Sequence, residues 1–463
     1  MTGPAKPRRS WLWRLGGLLL LITVGAAGWF FWTLHDTRQA VAAALAELDA
    51  ADPGWRLDDL LAARKPLADD RNGALVIEKV SALLPVLPTT FWQAYEPAME
   101  QWKYPAALPP LLRELLRTEA ALLPPAALRL ARGLKDMPEG RFSLAIRPGD
   151  IDTAVSQIDH TSRVVHWLQI DVALRSLDAT ADGALESCRA MLNAGRALAE
   201  EPFLVSHAVR CRGHFHVLES LERALAQGEA SEASLKSLQN LLTREIGDSD
   251  WSAALRGERA FVVRTLQILD EQKMSLRQFN ARYSPAVPNW RDYITDRLPH
   301  SFARYIPAQA RAATKMIEAA KLPLHEQDAA IAPILEEVKG QPNVSLMLHP
   351  KNMPLIAQSH RRSQTQLRAM VVALACERYR LAKKAWPDSL ESLVAAKLLD
   401  AVPLDPNDGQ PLRYRRAEKG IVVYGVGADR GDNQGIVRHG HEEPAGSDLG
   451  IRLRDTPRRG GGP

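Results

Sequence analysis

Cysteine is scarce in this chain: Cys188, Cys211 and Cys376 are the only three in 463 residues. An odd, sparse set builds no disulfide framework, so the fold must rest on a buried apolar core. Each cysteine falls in a helix-like stretch, where a thiol ordinarily acts as a small buried hydrophobe. A Cys188–Cys211 bridge between neighbouring helices is the alternative. Net charge is also scarce. The formal value is +5, from 59 basic and 54 acidic residues. Lys6, Arg8, Arg9 and Arg14, with no acid among the first fourteen residues, supply four of those charges and leave about +1 for the rest. A body so near neutrality lacks the basic surface of a nucleic-acid-binding protein. Also absent are a phosphate loop, a dinucleotide glycine fingerprint, a metalloprotease histidine pair and a nucleophile elbow. These absences remove enzymes defined by a local motif, but not sites assembled from distant residues.

Long apolar runs are limited to one, and it sits beside the basic cluster. Leu15 to Leu34 is twenty residues without a charge. At about 1.5 Å per residue it crosses a hydrocarbon core of about 30 Å. Trp11 and Trp13 mark one end, and Trp29 and Trp32 the other, as interfacial anchors do. Basic residues before the run place the N-terminus in the cytoplasm and the bulk of the chain outside. Residues 1–14 then form a cytoplasmic tail and 15–34 a signal anchor in the inner (cytoplasmic) membrane. A cleaved signal peptide ending near Gly25-Ala26-Ala27 is the rival. It fits less well because the apolar run continues through Trp29-Phe30-Phe31-Trp32.

The remaining composition, 46% hydrophobic and 24% charged, is that of a globular protein. Its pattern is mainly helical. An Ala- and Leu-rich stretch from Arg38 stops at Asp52-Pro53-Gly54. Residues 85–148 are rich in proline, which predicts short helices joined by kinks, with Trp92, Tyr95, Trp102 and Tyr104 as core or groove aromatics. Five amphipathic helices are predicted at Val155–Leu177, Gly183–Ala199, Phe203–Ala226, Ser231–Ile246 and Trp251–Leu269, with Ser231 as an N-cap. Their short connections favour antiparallel pairs. Phe279 to Pro307 reads as a connector or lid, and helices return at Ala308–Lys321 and Glu326–Lys339. The break at Gly340-Gln341-Pro342-Asn343 divides a helical extracytoplasmic body, 35–340, from a C-terminal module, 341–463.

That module begins with one long helix, Leu355–Lys383, which stops before Trp386-Pro387. Asp388 and Glu391 have capping-box spacing for a short helix. Val402-Pro403-Leu404-Asp405-Pro406 follows, then strands at Leu412–Arg415 and Ile421–Tyr424 joined by a turn at Gly420. The loop Gly427-Ala428-Asp429-Arg430-Gly431-Asp432-Asn433 comes next, and a last strand at Asp448–Leu453. In this order the module resembles the globular head of the major pseudopilins of type II secretion. The resemblance implies a small α+β head closed by a calcium loop, with ligands at the Val426 carbonyl, Asp429, Asp432 and Asp448. The chain departs from that family in having Asp429-Arg430 where the family has Asp-Gly, and Asn407-Asp408-Gly409 where it has Trp-Gly. It also lacks a leader-peptidase site and an acidic residue in the apolar helix. Hard oxygen donors on a Gly-rich loop suit Ca²⁺; the same residues also make turns by bonding their own backbone. The body, through Asp52-Pro53-Gly54-Trp55 and Leu255-Arg256-Gly257-Glu258-Arg259, resembles large uncharacterised anchored proteins of planctomycete bacteria.

Other residues carry potential chemistry. His207, Cys211 and His214 fall at i, i+4 and i+7, so one helix face presents all three, with His216 near; such a set can ligate zinc or serve as buried core histidines. Asp159, His160 and His166 share a helix with Ser156 and Ser162. Arg256, Glu258 and Arg259 read as ion-pairing residues. His439-Gly440-His441-Glu442-Glu443 reads as a loop excursion. The combined reading is a membrane-anchored envelope interaction or scaffold protein, non-enzymatic, linked to secretion, with a calcium-stabilised head and a protein or peptide partner. An envelope hydrolase using His160, His166, His207 or His214 with carboxylates is the competing class, and a divergent pseudopilin the third.

Overall fold

The computed structural model describes residues 10–85, 88–101, 109–144, 153–177, 181–248, 251–283, 301–341, 344, 347–437 and 446–455. Residues 1–9 of the basic tail, Trp102, Tyr104, most of the 279–307 connector and the 439–443 histidine segment lie outside them.

The N-terminal helix α1, Ser10–Ala51, is continuous over 42 residues. It is long and apolar enough to cross a membrane, and its apolar window is wholly unburied. Past the uncharged run the same helix becomes amphipathic. Val41, Ala44, Leu45 and Leu48 recur at helical spacing and turn into the protein, with Ala44 and Leu48 buried. Gly54, at φ +76°, supplies the left-handed residue that ends this segment. Helices α2 Leu57–Ala62 and α3 Gly73–Leu83 follow. The proline-rich region then gives the expected short helices: α4 Thr89–Gln101 with Pro97 inside it, α5 Pro110–Ala121 and α6 Pro125–Gly133. The last two begin on proline, whose missing donor costs nothing at a helix start. Of the aromatics in this region, Tyr95 is buried and stacks on Phe91 at 5.2 Å.

The five predicted body helices are present: α7 Thr153–Arg175, α8 Asp182–Arg196, α9 Leu204–Gln227, α10 Glu232–Gly247 and α11 Ser252–Asp270. Ser231 caps α10, accepting from the Ser234 N–H at 3.3 Å. Helices α12 Leu276–Tyr283, α13 Ile306–Ala319 and α14 Gln327–Glu337 complete the body. Both ends of the connector are pinned: Phe279 and Phe302 are buried, and Asp270 accepts from the Phe302 and Ala303 N–H groups.

The long helix α15 runs from Asn352 to Lys383 and ends on Lys384 in the left-handed region. The short helix α16, Glu391–Ala395, starts without the expected Asp388 cap. Instead Ser389 hydrogen-bonds Glu391 and lowers its pKa. Three antiparallel strands follow, β1 Arg413–Ala417, β2 Gly420–Gly425 and β3 Leu449–Leu453, in the order β1-β2-β3. Val423 pairs with Tyr414 on one side and Ile451 on the other. The central strand is buried along its whole length because α15 covers the sheet. Gly420 sits at φ +119°, and a Cβ there would meet the Leu453 carbonyl at 2.0 Å.

Two hydrophobic cores result. One gathers α3, α5–α10, the middle of α15 and the sheet. The other gathers the end of α1, α11, α13, α14 and the start of α15. Helix α15 therefore belongs to both, and ties the sheet to the helical body.

Candidate functional site

The two motifs singled out in the body, 200 residues apart, form one joint. Asp52 follows α1 and accepts from Arg256 Nε at 2.9 Å and Nη2 at 2.6 Å, and also from Arg259. Burial disfavours the Asp52 carboxylate, but these guanidiniums outweigh it and hold its pKa below the ordinary value. Trp55 is buried between Arg56 and Arg259, and its indole N–H donates to Asp49 at 2.9 Å. Gly257 is required between the two arginines, since a Cβ there would lie 1.9 Å from the Pro202 carbonyl oxygen. Arg311 adds a bidentate pair to Glu47 on α1, at 2.9 and 2.8 Å. Arg256 and Arg259 are thus the ion-pairing residues the sequence suggested, and their partner is Asp52, just past the end of α1.

The densest group of chemistry-bearing side chains lies between α9, α10 and α15. His207 and Cys211 share a face of α9, with Cys211 Sγ 3.6 Å from His207 Nε2. The third residue expected on that face, His214, does not join them. It is turned to Ser363 Oγ, 2.7 Å from its Nδ1, and to Glu245 Oε1, 2.8 Å from its Nε2. Its place is taken by His360 of α15, whose Nδ1 is 3.1 Å from His207 Nε2. The Trp251 ring stacks on His360 at 4.9 Å. Burial lowers the pKa of both His207 and His360, the latter to about 3, and pushes the Cys211 thiol up to about 12. His360 and Trp251 carry no local signal; only the fold brings them to α9.

Ser363, His214 and Glu245 have the order of a hydrolase triad. A carboxylate only accepts, so His214 donates from Nε2 to Glu245, while its Nδ1 faces Ser363. In hydrolase triads the acid holds Nδ1 and the nucleophile faces Nε2, the reverse of this arrangement. Glu245 is also shared by Arg196 at 2.5 Å and Arg210 at 2.7 Å. Burial opposes its charge, but Arg210, His214 and Arg196 keep it well below the usual carboxylate range. Ser363 is 1% exposed. The unit is built as a buried network joining α8, α9, α10 and α15. His166 does not meet it: burial lowers its pKa to about 4, and its ring packs edge-on against His216 at 5.4 Å. Asp159 is exposed and His160 half-buried on α7.

The three cysteines are free and buried. The Cys188–Cys211 bridge does not form. Cys188 lies by Asp171 and Arg175, while Cys211 faces His207 and Ser363.

In the head, Asp405 is the buried clasp of the Pro-x-Asp-Pro segment. It accepts from the Val426 N–H at 2.7 Å and the Asn407 N–H at 3.0 Å. The Val426 carbonyl accepts from Asn407 Nδ2 at 2.8 Å. Asp429 accepts from the Gly431 and Gly446 N–H groups. Asp448 accepts from those of Asn433 and Gly435, and Asp432 from Gln434 while facing Arg413 at 3.2 Å. The three aspartates therefore close one loop from both ends, each through backbone donors.

A cleft of about 280 Å³ opens between α5, α6 and α7. Its walls include Leu123, Leu128, Trp167 and Ile170, and Arg132, Asp171 and Arg175 form a polar end. Arg132 grips Asp171 at 3.0 and 2.5 Å, and Ser187 links Asp171 to Arg175. No family model matches this chain, and no curated protein or solved structure does either.

Proposed function

We propose that the chain is a single-pass protein of the inner membrane, N-terminus in the cytoplasm, whose extracytoplasmic body and head form a non-enzymatic docking platform for a protein partner. The joint at Asp52 carries this reading. A membrane-length helix that ended in a loose tether would suit a freely moving domain. Here the same helix runs on into the body and is gripped by Arg256, Arg259 and Arg311, so the body holds a set attitude to the membrane. The basic flank supports the orientation, and the pseudopilin-like head supports placing the platform at a secretion assembly.

The partner site in this reading is the α5–α7 cleft, flanked by the exposed Leu122 and Leu130. Its apolar walls suit a segment that presents an aliphatic side chain. The head enters through calcium at the Val426 carbonyl, Asp429, Asp432 and Asp448. Its support is the family resemblance and the gathering of three carboxylates on one loop.

Photocrosslinking in intact membranes tests the platform. A crosslinker at Leu122 or Leu130 should give one discrete adduct, lost on Ala120→Trp, which fills the cleft. A crosslinker at Leu355, which is also exposed but lies at the start of α15 beside the other core, should give none. Equal labelling from all three positions, or none from any, removes the cleft as the partner site. For calcium, the measurement is melting temperature with and without chelator. A shift present in the wild type and absent in Asp429→Ala supports the ion, and no shift in either removes it.

A further inference from the structure

We propose that His207, Cys211 and His360 form a buried three-ligand site for a borderline-soft divalent metal, Zn²⁺, that staples α9 to α15. Their three ligand atoms lie within 4.8 Å of one another, a grouping that recurs nowhere else among the described His, Cys, Asp and Glu residues. Zinc bonds of about 2.05 Å to nitrogen and about 2.3 Å to sulfur, at tetrahedral angles, require N···N near 3.3 Å and N···S near 3.6 Å. The observed separations are 3.1 Å for His207 Nε2 to His360 Nδ1 and 3.6 Å for Cys211 Sγ to His207 Nε2. Two of the three donor separations thus match the edges of a zinc tetrahedron, and the third, Cys211 to His360, lies within 4.8 Å.

The scaffold explains why they stay there. His207 and Cys211 are one turn apart on α9, so their side chains stack along a single face. His360 arrives from a helix 153 residues later and is fixed by Trp251 stacked on its ring. The three ligands are 6%, 2% and 3% exposed, so a bound ion would lie away from bulk solvent. Charge does not oppose the ion. Arg210, Arg196, Arg361 and Arg368 stand nearby, but Glu245 and Asp248 pair with the first two, Asp328 pairs with Arg361, and the Asp405 charge acts on Arg368. Binding is balanced by release of one proton: the metal takes Cys211 as thiolate and both rings as neutral imidazoles. The proton between the two facing nitrogens moves to the far nitrogen of the ring that carried it. Three protein ligands leave the fourth position to a water, and Ser363 is hydrogen-bonded to Cys211 and His214. The inference does not depend on the partner reading, because it concerns how the body and head are joined.

The test uses full-length protein in detergent, stripped with a chelator and titrated with Co²⁺ and then Zn²⁺. One equivalent of Co²⁺ should give the visible bands of a tetrahedral ion and a near-ultraviolet thiolate-to-cobalt transition, both bleached by one equivalent of Zn²⁺. Cys211→Ser should lose the thiolate transition and His360→Gln the one-to-one binding, while Cys376→Ser keeps both. Zinc-edge X-ray absorption of the loaded wild type needs no variant and should show one sulfur and two imidazole ligands. A shell of nitrogen and oxygen alone, no stoichiometric binding by the wild type, or an unchanged cobalt spectrum in folded Cys211→Ser would overturn the assignment.

Discussion

Glu201 should make the protein less stable as pH rises through neutrality, and replacing it with glutamine should remove that dependence. The residue lies between α8 and α9 and is 2% exposed. Its Oε2 accepts from Ser206 at 2.5 Å and from Gln157 at 3.3 Å, while Oε1 is buried with no hydrogen bond among the described residues. Burial raises its pKa from 4.5 to about 7, against the smaller pull of Ser206, Gln157 and Arg64. The sign follows from proton counting. Below pH 4.5 both folded and unfolded chains hold the proton. Between 4.5 and 7 the folded chain holds it and the unfolded chain has lost it, so stability falls as pH rises. The fall is complete above the folded value and amounts to about 3 kcal/mol, an order-of-magnitude figure at about 1.4 kcal/mol per tenfold change. Melting curves of wild type and Glu201→Gln, measured side by side from pH 4.5 to 8, isolate the effect. Any fixed cost of the new amide shifts the whole variant curve and leaves the difference in slope untouched. The variant should gain about 3 kcal/mol on the wild type across that range. Parallel curves would refute the burial argument.

Gly257→Ala should cost about 3 kcal/mol or more, because backbone at Pro202 stands where the methyl must go. Gly213→Ala, on α9 with nothing within 4 Å of its Cβ position, should instead stabilise by about 0.5–1 kcal/mol; equal effects in a denaturation series would undo the steric reading. Asp52→Ala strands the buried Arg259 and should cost about 3–5 kcal/mol, read as new protease cleavage near Pro53-Gly54; an unchanged digestion pattern would dismiss the joint. Ser231→Ala removes one cap and should lower stability by about 1 kcal/mol, with amide exchange faster in the first turn of α10 than elsewhere in that helix.

Much of the architecture was legible because it is written locally. The 3.6-residue recurrence in α7–α11 and α15 and Gly420 in the hairpin each act over a few neighbours. Their elements appear within a few residues of where the pattern puts them. The α16 cap misled because the N-cap position falls on Leu390, with no side-chain cap, and Glu391 takes its hydrogen bond from Ser389 instead. The buried cluster was half legible. A helix face shows that His207 and Cys211 are neighbours, but not which residue another helix lays across them. His214 has the right phase on α9, yet Glu245 on α10 and Ser363 on α15 claim it. The pairing of Asp52 with Arg256 and Arg259 was equally invisible, although both motifs stood out, because an ion pair across 204 residues leaves no periodicity in the chain.

The unbroken course of α1 makes the platform's heading a matter of phase. From Leu34 to Asp52 the chain climbs about 27 Å without a joint, turning about 100° with each residue. One residue inserted between Leu34 and Val41 would lift the body only about 1.5 Å, yet swing the cleft about a quarter of a circle around the membrane normal. Seven inserted residues would raise it about 10 Å and return it almost to its first bearing. The spacer therefore works as a compass setting, with its length counted modulo the helical turn; in the proposed anchored platform, partners in the same membrane would be met from one side only.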